Sequence, residues 1–305
     1  MKAACYERTS SGKLLLIGEV EKPQPRSNEV LLRVRAASVN PLDWRLKSQR
    51  PGVDVAGEVE AVGSSVTRFK RGDAVFGLGK EAFAEYACAS ESKLALKPAN
   101  ITFEQAAAIP IAGLTALQGL RDKGRLQPGQ KVLINGAAGG IGTFAVPIAK
   151  AMGAEVTGVC STRNIEMVHS LGADLVIDYT REDFTEDTGR YDVLLDNVGN
   201  RRLSELRRIL TPNGRCALAG APKTLPAVIA RIVKAFFWSP FLRQKFIFFI
   251  AKPRPADLRA ICDLIAAGKL KPTIEKRYPL SEAAAAIAYV ETGHARAKIV
   301  ITPGS

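Results

Sequence analysis

From Lys2 to about Ala99 apolar and polar positions alternate with a period of two, in short runs broken by Gly, Pro and Asn: "EVLLRVRAASVN", "VAGEVEAVGSSV", "GDAVFGL", "AFAEYACAS" and "KLALKPAN". Such alternation sends successive side chains to opposite faces of a strand, so this part of the chain predicts a compact β domain. The period lengthens at "TFEQAAAIPIAGLTALQGLRDKG", which reads as helix. Beyond it, strand-like runs and helical stretches take turns. "KVLI" is followed by a helix ending at Gly153, then by "EVTGV", "LVIDY", "YDVLLDNVG" and "GRCALAG" as further strands. Regular alternation of this kind predicts a doubly wound parallel sheet that binds ligands at the carboxyl ends of its strands, an α/β fold. After about Pro253, "ADLRAICDLIAAGKL" and "SEAAAAIAYVETG" read as helices and "RAKIVIT" as a closing strand.

The first strand of the alternating half runs into "NGAAGGIG", Asn135 to Gly142. Side chains are excluded where a backbone must approach something closely. The turn fits a variant dinucleotide fingerprint with Ala137, Gly139 and Gly142 at its small positions, so the amides of Ala138, Gly139, Gly140, Ile141 and Gly142 are placed to receive a pyrophosphate. A tight turn for helix–strand packing is the other reading. An NAD site carries Asp or Glu about 20 residues on. Here "GVCSTRN" offers Ser161 and Arg163, with no acid before Glu166, and a hydroxyl with a guanidinium suits the 2′-phosphate of NADPH.

Composition adds limits. A chain of 305 residues, 47% apolar, holds a large core and room for two domains. Its five cysteines have no paired spacing, so neither a disulfide framework nor a zinc knuckle is expected, and a reducing cytoplasm suits them. No signal-like start and no spanning apolar run is evident. The formal charge of +13 is concentrated: Arg201 to Ala260 holds 13 Lys/Arg against Glu205 and Asp257. A solvated face, a phosphate site and an anionic membrane contact are the readings. Nucleic acid is disfavoured, because the aromatics cluster in one apolar stretch instead of interleaving as in a strand-binding surface. That stretch, residues 229 to 255, carries Phe236, Phe237, Trp238, Phe241, Phe246, Phe248 and Phe249. It reads as a helical pair packed on the core or across a dimer, as a cap over a hydrophobic substrate, or as a basic amphipathic membrane contact.

The order of "ASVNPLDWRLK", "GVDVAGEVEAVGSSVTRFKRGDAVFG", "LKPANITFEQAAAIPIAGLTAL", the glycine turn, "SLGADLVIDY", "DNVG" and "KPTIEKRYPLSEAAAAIAYVETGHARAKIVI" resembles the medium-chain dehydrogenase/reductase superfamily, in its zinc-free, NADPH-dependent quinone oxidoreductase-like branch. The resemblance implies a GroES-like catalytic domain at 1–114, a Rossmann NADP-binding domain at 115–253 and a return to the catalytic domain at 254–305. It implies a zinc-independent reductase acting on a quinone or an α,β-unsaturated carbonyl. The three zinc-ligand places of related enzymes hold Asn40, Val53 and Ala112 here, so no metal is expected. It sets Asn40 near the acceptor, or else as a cap before Pro41, with Asp43 and Lys47 along the same region. Tyr179 falls at the adenine end, and Thr115, Asn197, Val198 and Gly220 around the ribose and nicotinamide. Relatives often pair through their Rossmann sheets, so a homodimer is expected. Between Lys47 and Pro51 only "SQR" remains of a longer covering loop. A nucleotide-fold binding protein, RNA- or membrane-associated, is the alternative.

Overall fold

The computed structural model describes residues 1–9, 12–45, 49–186, 189–220 and 243–304. The chain divides into two compact units, one of Met1–Leu114, Pro253–Ala266 and Lys271–Ser305, the other of Thr115–Lys252 and Ala267–Leu270.

The first unit is built on β-strands β1 (Lys2–Thr9), β2 (Gly12–Glu19), β3 (Glu29–Ser38), β4 (Asp54–Val62), β5 (Ala74–Leu78), β6 (Tyr86–Ser90) and β7 (Leu94–Leu96). β1 and β2 pair as a two-stranded sheet, and a seven-stranded sheet runs β14-β15-β3-β4-β5-β7 with β6 also on β3, where β14 is Ile274–Pro279 and β15 is Lys298–Thr302. β3 is buried along nearly its whole length, only Arg33 and Arg35 reaching solvent, because strands cover both its edges and core packs on it. Val30, Leu32, Val34, Val55, Val59, Phe83, Ile299 and Ile301 form the centre of that core. Two short helices follow the sheet, α2 (Phe103–Ala107) and α3 (Pro110–Gln118), after the single turn α1 (Leu42–Arg45). Thr102 caps α2 by accepting from Gln105 N, while Gln105 reaches back to the cap.

The second unit carries a six-stranded parallel sheet in the order β10-β9-β8-β11-β12-β13. Its strands are β8 (Lys131–Asn135), β9 (Glu155–Cys160), β10 (Leu175–Asp178), β11 (Tyr191–Asp196), β12 (Leu210–Leu218) and β13 (Lys245–Phe248). The order reverses between β8 and β11, the place where a doubly wound sheet opens a crevice at its carboxyl edge. Helices α4 (Gly142–Ala151), α5 (Ile165–Ser170) and α6 (Leu203–Arg208) are the crossovers, and Gly142 through Ala149 of α4 are all buried. A parallel sheet must be covered on both faces, which is why its strands read as unbroken apolar runs.

The helical pair expected over 229–255 takes another form in its described part. Lys245–Phe248 is strand β13, in parallel register with β12 through Cys216↔Phe246. Phe246 is buried in the core, and the ring of Phe249 lies against Gly119. The cause is local: one polar and three apolar residues in a row suit the last strand of a covered sheet as well as a helix, and the open edge of β12 takes them. Residues 229–242, with Phe236, Phe237, Trp238 and Phe241, lie outside the described residues. Among the described residues no helix is long and apolar enough to cross a membrane.

Candidate functional site

In the first unit, strand register gathers a set of polar side chains at one end of the sheet. β3 pairs Ser38 with Asp54 of β4 and with Val300 of β15, and Val39 N donates to the carbonyl of Ile299 at 2.9 Å. Continuing that register sets Lys298 opposite Asn40. Asp54 Oδ2 accepts from Ser38 Oγ at 2.8 Å and from Asn40 Nδ2 at 2.8 Å. Its Oδ1 accepts from Ile111 N at 3.0 Å, one of the first amides of α3 that no helical partner can satisfy. Lys298 Nζ donates to Asn40 Oδ1 at 2.7 Å and lies 3.7 Å from Asp54 Oδ2. Asp43 accepts from Asn40 N at 2.7 Å and from Gly52 N at 3.1 Å, holding the two ends of the intervening loop together.

This network is closed. Asp54 is fully buried, and Asn40, Asp43 and Lys298 are each 3% exposed or less. Burial pushes Asp43 up to about 7, with the charge of Asp54 adding to it and the amides of Asn40 and Gly52 and the ammonium of Lys298 opposing. Burial likewise raises Asp54 and lowers Lys298, each held back by the charge of the other. The structure therefore gives Asn40 a role that neither expectation named. Its backbone carbonyl accepts Asp43 N at 3.0 Å, while its side chain joins an ammonium to a carboxylate, with both ends of the amide used inside the protein. Lys47 lies outside the described residues. Of the three places where zinc ligands would stand, Val53 and Ala112 bring no donor atom, and the amide of Asn40 is committed, so these residues do not fit a metal. Among the described residues no three His, Cys, Asp or Glu side chains converge as a metal site.

In the second unit the polar groups are open. β8 ends at Asn135, and the chain turns through Gly136, at φ 79°, into α4. Gly142 is required by the turn itself, since a Cβ there would sit 2.2 Å from the carbonyl oxygen of Gly136 and 2.4 Å from that of Ala137. Gly139 is not: a Cβ there would meet nothing nearer than 3.4 Å. The fold leaves that position bare without needing it, as a site for a close-lying ligand would. No side chain caps α4, and among the described residues the amides of Ala138, Gly140 and Ile141 find no acceptor. Unpaired amides at a ten-residue helix's start, with its dipole behind them, form an anion site.

Beside this turn, Asp196 at the end of β11 is buried and accepts from Asn135 Nδ2 at 2.8 Å and from the amides of Val198 and Gly199. That clamp fixes Asn197 and Val198 against Gly136, and Gly220 packs on the backbone of Asn197. Both polar atoms of the Asn197 side chain are buried with no hydrogen-bond partner. Such a group costs about 1–3 kcal/mol unless something satisfies it. Ser161 and Arg163 follow β9, and Tyr179, half exposed, follows β10, its amide donating to the carbonyl of Cys160 at 3.0 Å. Asp178 stands close by, but its oxygens take the hydroxyls of Thr162 and Thr180, which hold it below the usual carboxylate range. The sheet thus brings Gly139, Gly140, Ile141, Gly142, Asn197, Val198 and Gly220 into one neighbourhood and Ser161, Arg163 and Tyr179 into the next. Thr115 sits buried in α3. The residues fit a dinucleotide.

Sequence reasoning missed Ser38, Asp54 and Lys298, and with them Asn135 and Asp196. The available signal was a charged residue directly flanking an apolar run at a strand end: Asp54 before "VAG", Lys298 before "IVIT" and Asp196 after "VLL".

A family profile described as "Alcohol dehydrogenase GroES-like domain" matches residues 26–99, and one described as "Zinc-binding dehydrogenase" matches residues 171–301. The chain is 35% identical to the chloroplast envelope quinone oxidoreductase homolog of Arabidopsis thaliana, over 93% of each chain. It is 32% identical to the NADPH-dependent alkenal/one oxidoreductase of the same plant, over 99% of this chain and 80% of that one. The solved structure of the quinone oxidoreductase from Coxiella burnetii superposes with a TM-score of 0.88 at 29% identity, covering 100% of this chain and 99% of the other.

Proposed function

Since the chain belongs to the medium-chain dehydrogenase/reductase superfamily, among its quinone oxidoreductase-like members, we propose that it reduces a quinone or an α,β-unsaturated carbonyl with NADPH and without a metal. The observation that carries this reading is the pair of buried, unpartnered polar atoms on Asn197 beside a helix start whose amides are also unpartnered. A buried polar group without a partner calls for an explanation, and beside an anion-binding helix start a ligand supplies it.

NADPH, when bound, supplies the hydride. The amides of Ala138, Gly140 and Ile141 would hold its pyrophosphate, and the Asn197 amide a ribose or carboxamide group. Ser161 and Arg163 would take the 2′-phosphate, with Tyr179 against the adenine. An electron-poor carbon of the acceptor gains the hydride, its electron pair moves onto the conjugated oxygen, and that oxygen takes a proton from water. No Lewis acid is needed for such an acceptor, in contrast to an alcohol, where an alkoxide must be stabilised. Asn40, Asp43 and Lys298 serve as positioning residues, fixing the end of β3 and the loop to Gly52.

NADPH oxidation against a panel of quinones and enones tests the activity, before and after dialysis against a strong chelator. Turnover that survives chelation is expected, and turnover restored only by zinc overturns the metal-free reading. Arg163→Ala should raise KM for NADPH by about tenfold relative to NADH, the range of one charge-assisted contact at an exposed site. An equal change for both cofactors overturns the 2′-phosphate assignment. Homodimer formation is part of the same proposal, with the outer edge of β13 as the pairing edge that would continue the sheet. Light scattering then gives twice the chain mass of 32.8 kDa.

A further inference from the structure

No acid follows β9 in the chain before Glu166, yet strand pairing brings one to its end. β10 lies parallel to β9 with Asp178 beside Cys160, the residue before Ser161. The carboxylate therefore arrives from the neighbouring strand at the sheet end where an NAD site holds its acid. An acid so placed accepts a ribose hydroxyl and repels a phosphate, and on both counts it would favour NADH.

That carboxylate is already occupied. Asp178 is 5% exposed. Its Oδ1 accepts the amide of Thr180 at 3.0 Å and the Thr180 hydroxyl at 2.7 Å, and its Oδ2 accepts the Thr162 hydroxyl, with Arg181 Nε 3.6 Å from the same oxygen. An ionised carboxylate has about four lone-pair sites, so three take hydrogens and the fourth is faced by a guanidinium. The two hydroxyl oxygens lie 3.0 Å apart, closing a ring with the carboxyl group. Thr162 stands between Ser161 and Arg163, the residues assigned to the 2′-phosphate. The turn that carries all three is closed by other bonds: Asn164 N donates to the carbonyl of Ser161 at 2.8 Å, and Asn164 Nδ2 to Ser161 Oγ at 3.1 Å. Removing the Thr162 hydroxyl therefore frees Oδ2 of Asp178 without opening the turn.

We propose that Thr162 and Thr180 mask Asp178, and that this masking sets the preference of the site for NADPH over NADH. The inference rests on the assignment of Ser161 and Arg163 to the 2′-phosphate. Dissociation constants for NADPH and NADH, measured by titration calorimetry on the parent and on single and double variants, test it. Thr162→Val should lower the NADPH-over-NADH preference by about tenfold, the low end for one hydrogen bond to a charged group. Thr162→Ser, which keeps the hydroxyl, should hold the parental preference. Adding Asp178→Asn to Thr162→Val removes the freed charge and should restore most of what was lost. A parental preference in Thr162→Val beside a lowered one in Arg163→Ala overturns the masking and leaves the phosphate assignment standing. An unchanged preference in Arg163→Ala overturns that assignment and the masking with it. Equal losses in Thr162→Val and Thr162→Ser, or no recovery on adding Asp178→Asn, also overturn the masking.

Discussion

The polar end of the first unit's sheet and the glycine turn of the second are chemically alike in kind and opposite in state. At the first, Ser38, Asn40, Asp43, Asp54 and Lys298 satisfy one another inside the protein. At the second, the amides of Ala138, Gly140 and Ile141 and the side chain of Asn197 are set in place by Gly142 and Asp196, and are left without partners among the described residues. The difference separates architecture from binding. A polar group that its own fold completes holds the fold, whereas one that is held rigid and left incomplete has been shaped for something else.

The comparison breaks most readily at Lys298. Lys298→Met removes the only cation in the closed network among the described residues and leaves Asp54 buried and uncompensated, so urea unfolding should show a loss of about 3–5 kcal/mol. Asp54→Asn added to it should restore a good part. If the single variant is as stable as the parent, the network is not holding the fold.

Next in size is the pH dependence of Asp43. Its folded value of about 7 lies above the ordinary 3.8, so between those values the folded chain keeps a proton that the unfolded chain releases. Its contribution is therefore fully present below about pH 4 and is lost as pH rises through about 7, up to about 4 kcal/mol in all. Asp43→Asn should flatten that slope in unfolding measured across pH 4 to 8. An unchanged slope would place the titration elsewhere.

The two asparagines give the sharpest contrast. Asn40→Ala strips partners from Lys298 and Asp54 and should cost about 1–3 kcal/mol of stability, with NADPH affinity unchanged. Asn197→Ala should do the reverse. Removing an unsatisfied buried amide leaves stability equal or slightly higher, while NADPH affinity drops by about tenfold, one hydrogen bond's worth. Loss of stability in Asn197→Ala with unaltered affinity would mean that the amide has a partner in the free protein.

What could be read along the chain follows the same division. The strand–turn–helix at 131–151 is local in sequence, so its spacing alone indicates the fingerprint, and Ser161 and Arg163 follow from counting strands, whereas Tyr179 follows from the resemblance to the family. Asp54 and Lys298 escaped because nothing local pairs them: only the register of β15 on β3 and of β3 on β4 brings them together. Asn40 was picked out for a polar side chain at a strand end, but its use depends on Lys298, far along the chain. The segment 245–248 falls within the stretch for which a helical pair is one of the readings, because its short apolar run fits either period, and the edge of β12 decides for strand.

The Lys298–Asp54 pairing also sets an order of events during synthesis. Roughly 240 residues are made after Asp54 before its counter-ion emerges, and contacts of such sequence separation close late. The second unit has its whole sheet in hand by Phe248, whereas the first keeps a carboxylate waiting until β15 arrives. A ribosome halted before Lys298 would release a nucleotide-binding half already folded beside a β unit with an uncompensated charge at its centre, a product that quality-control proteases can tell from the finished chain.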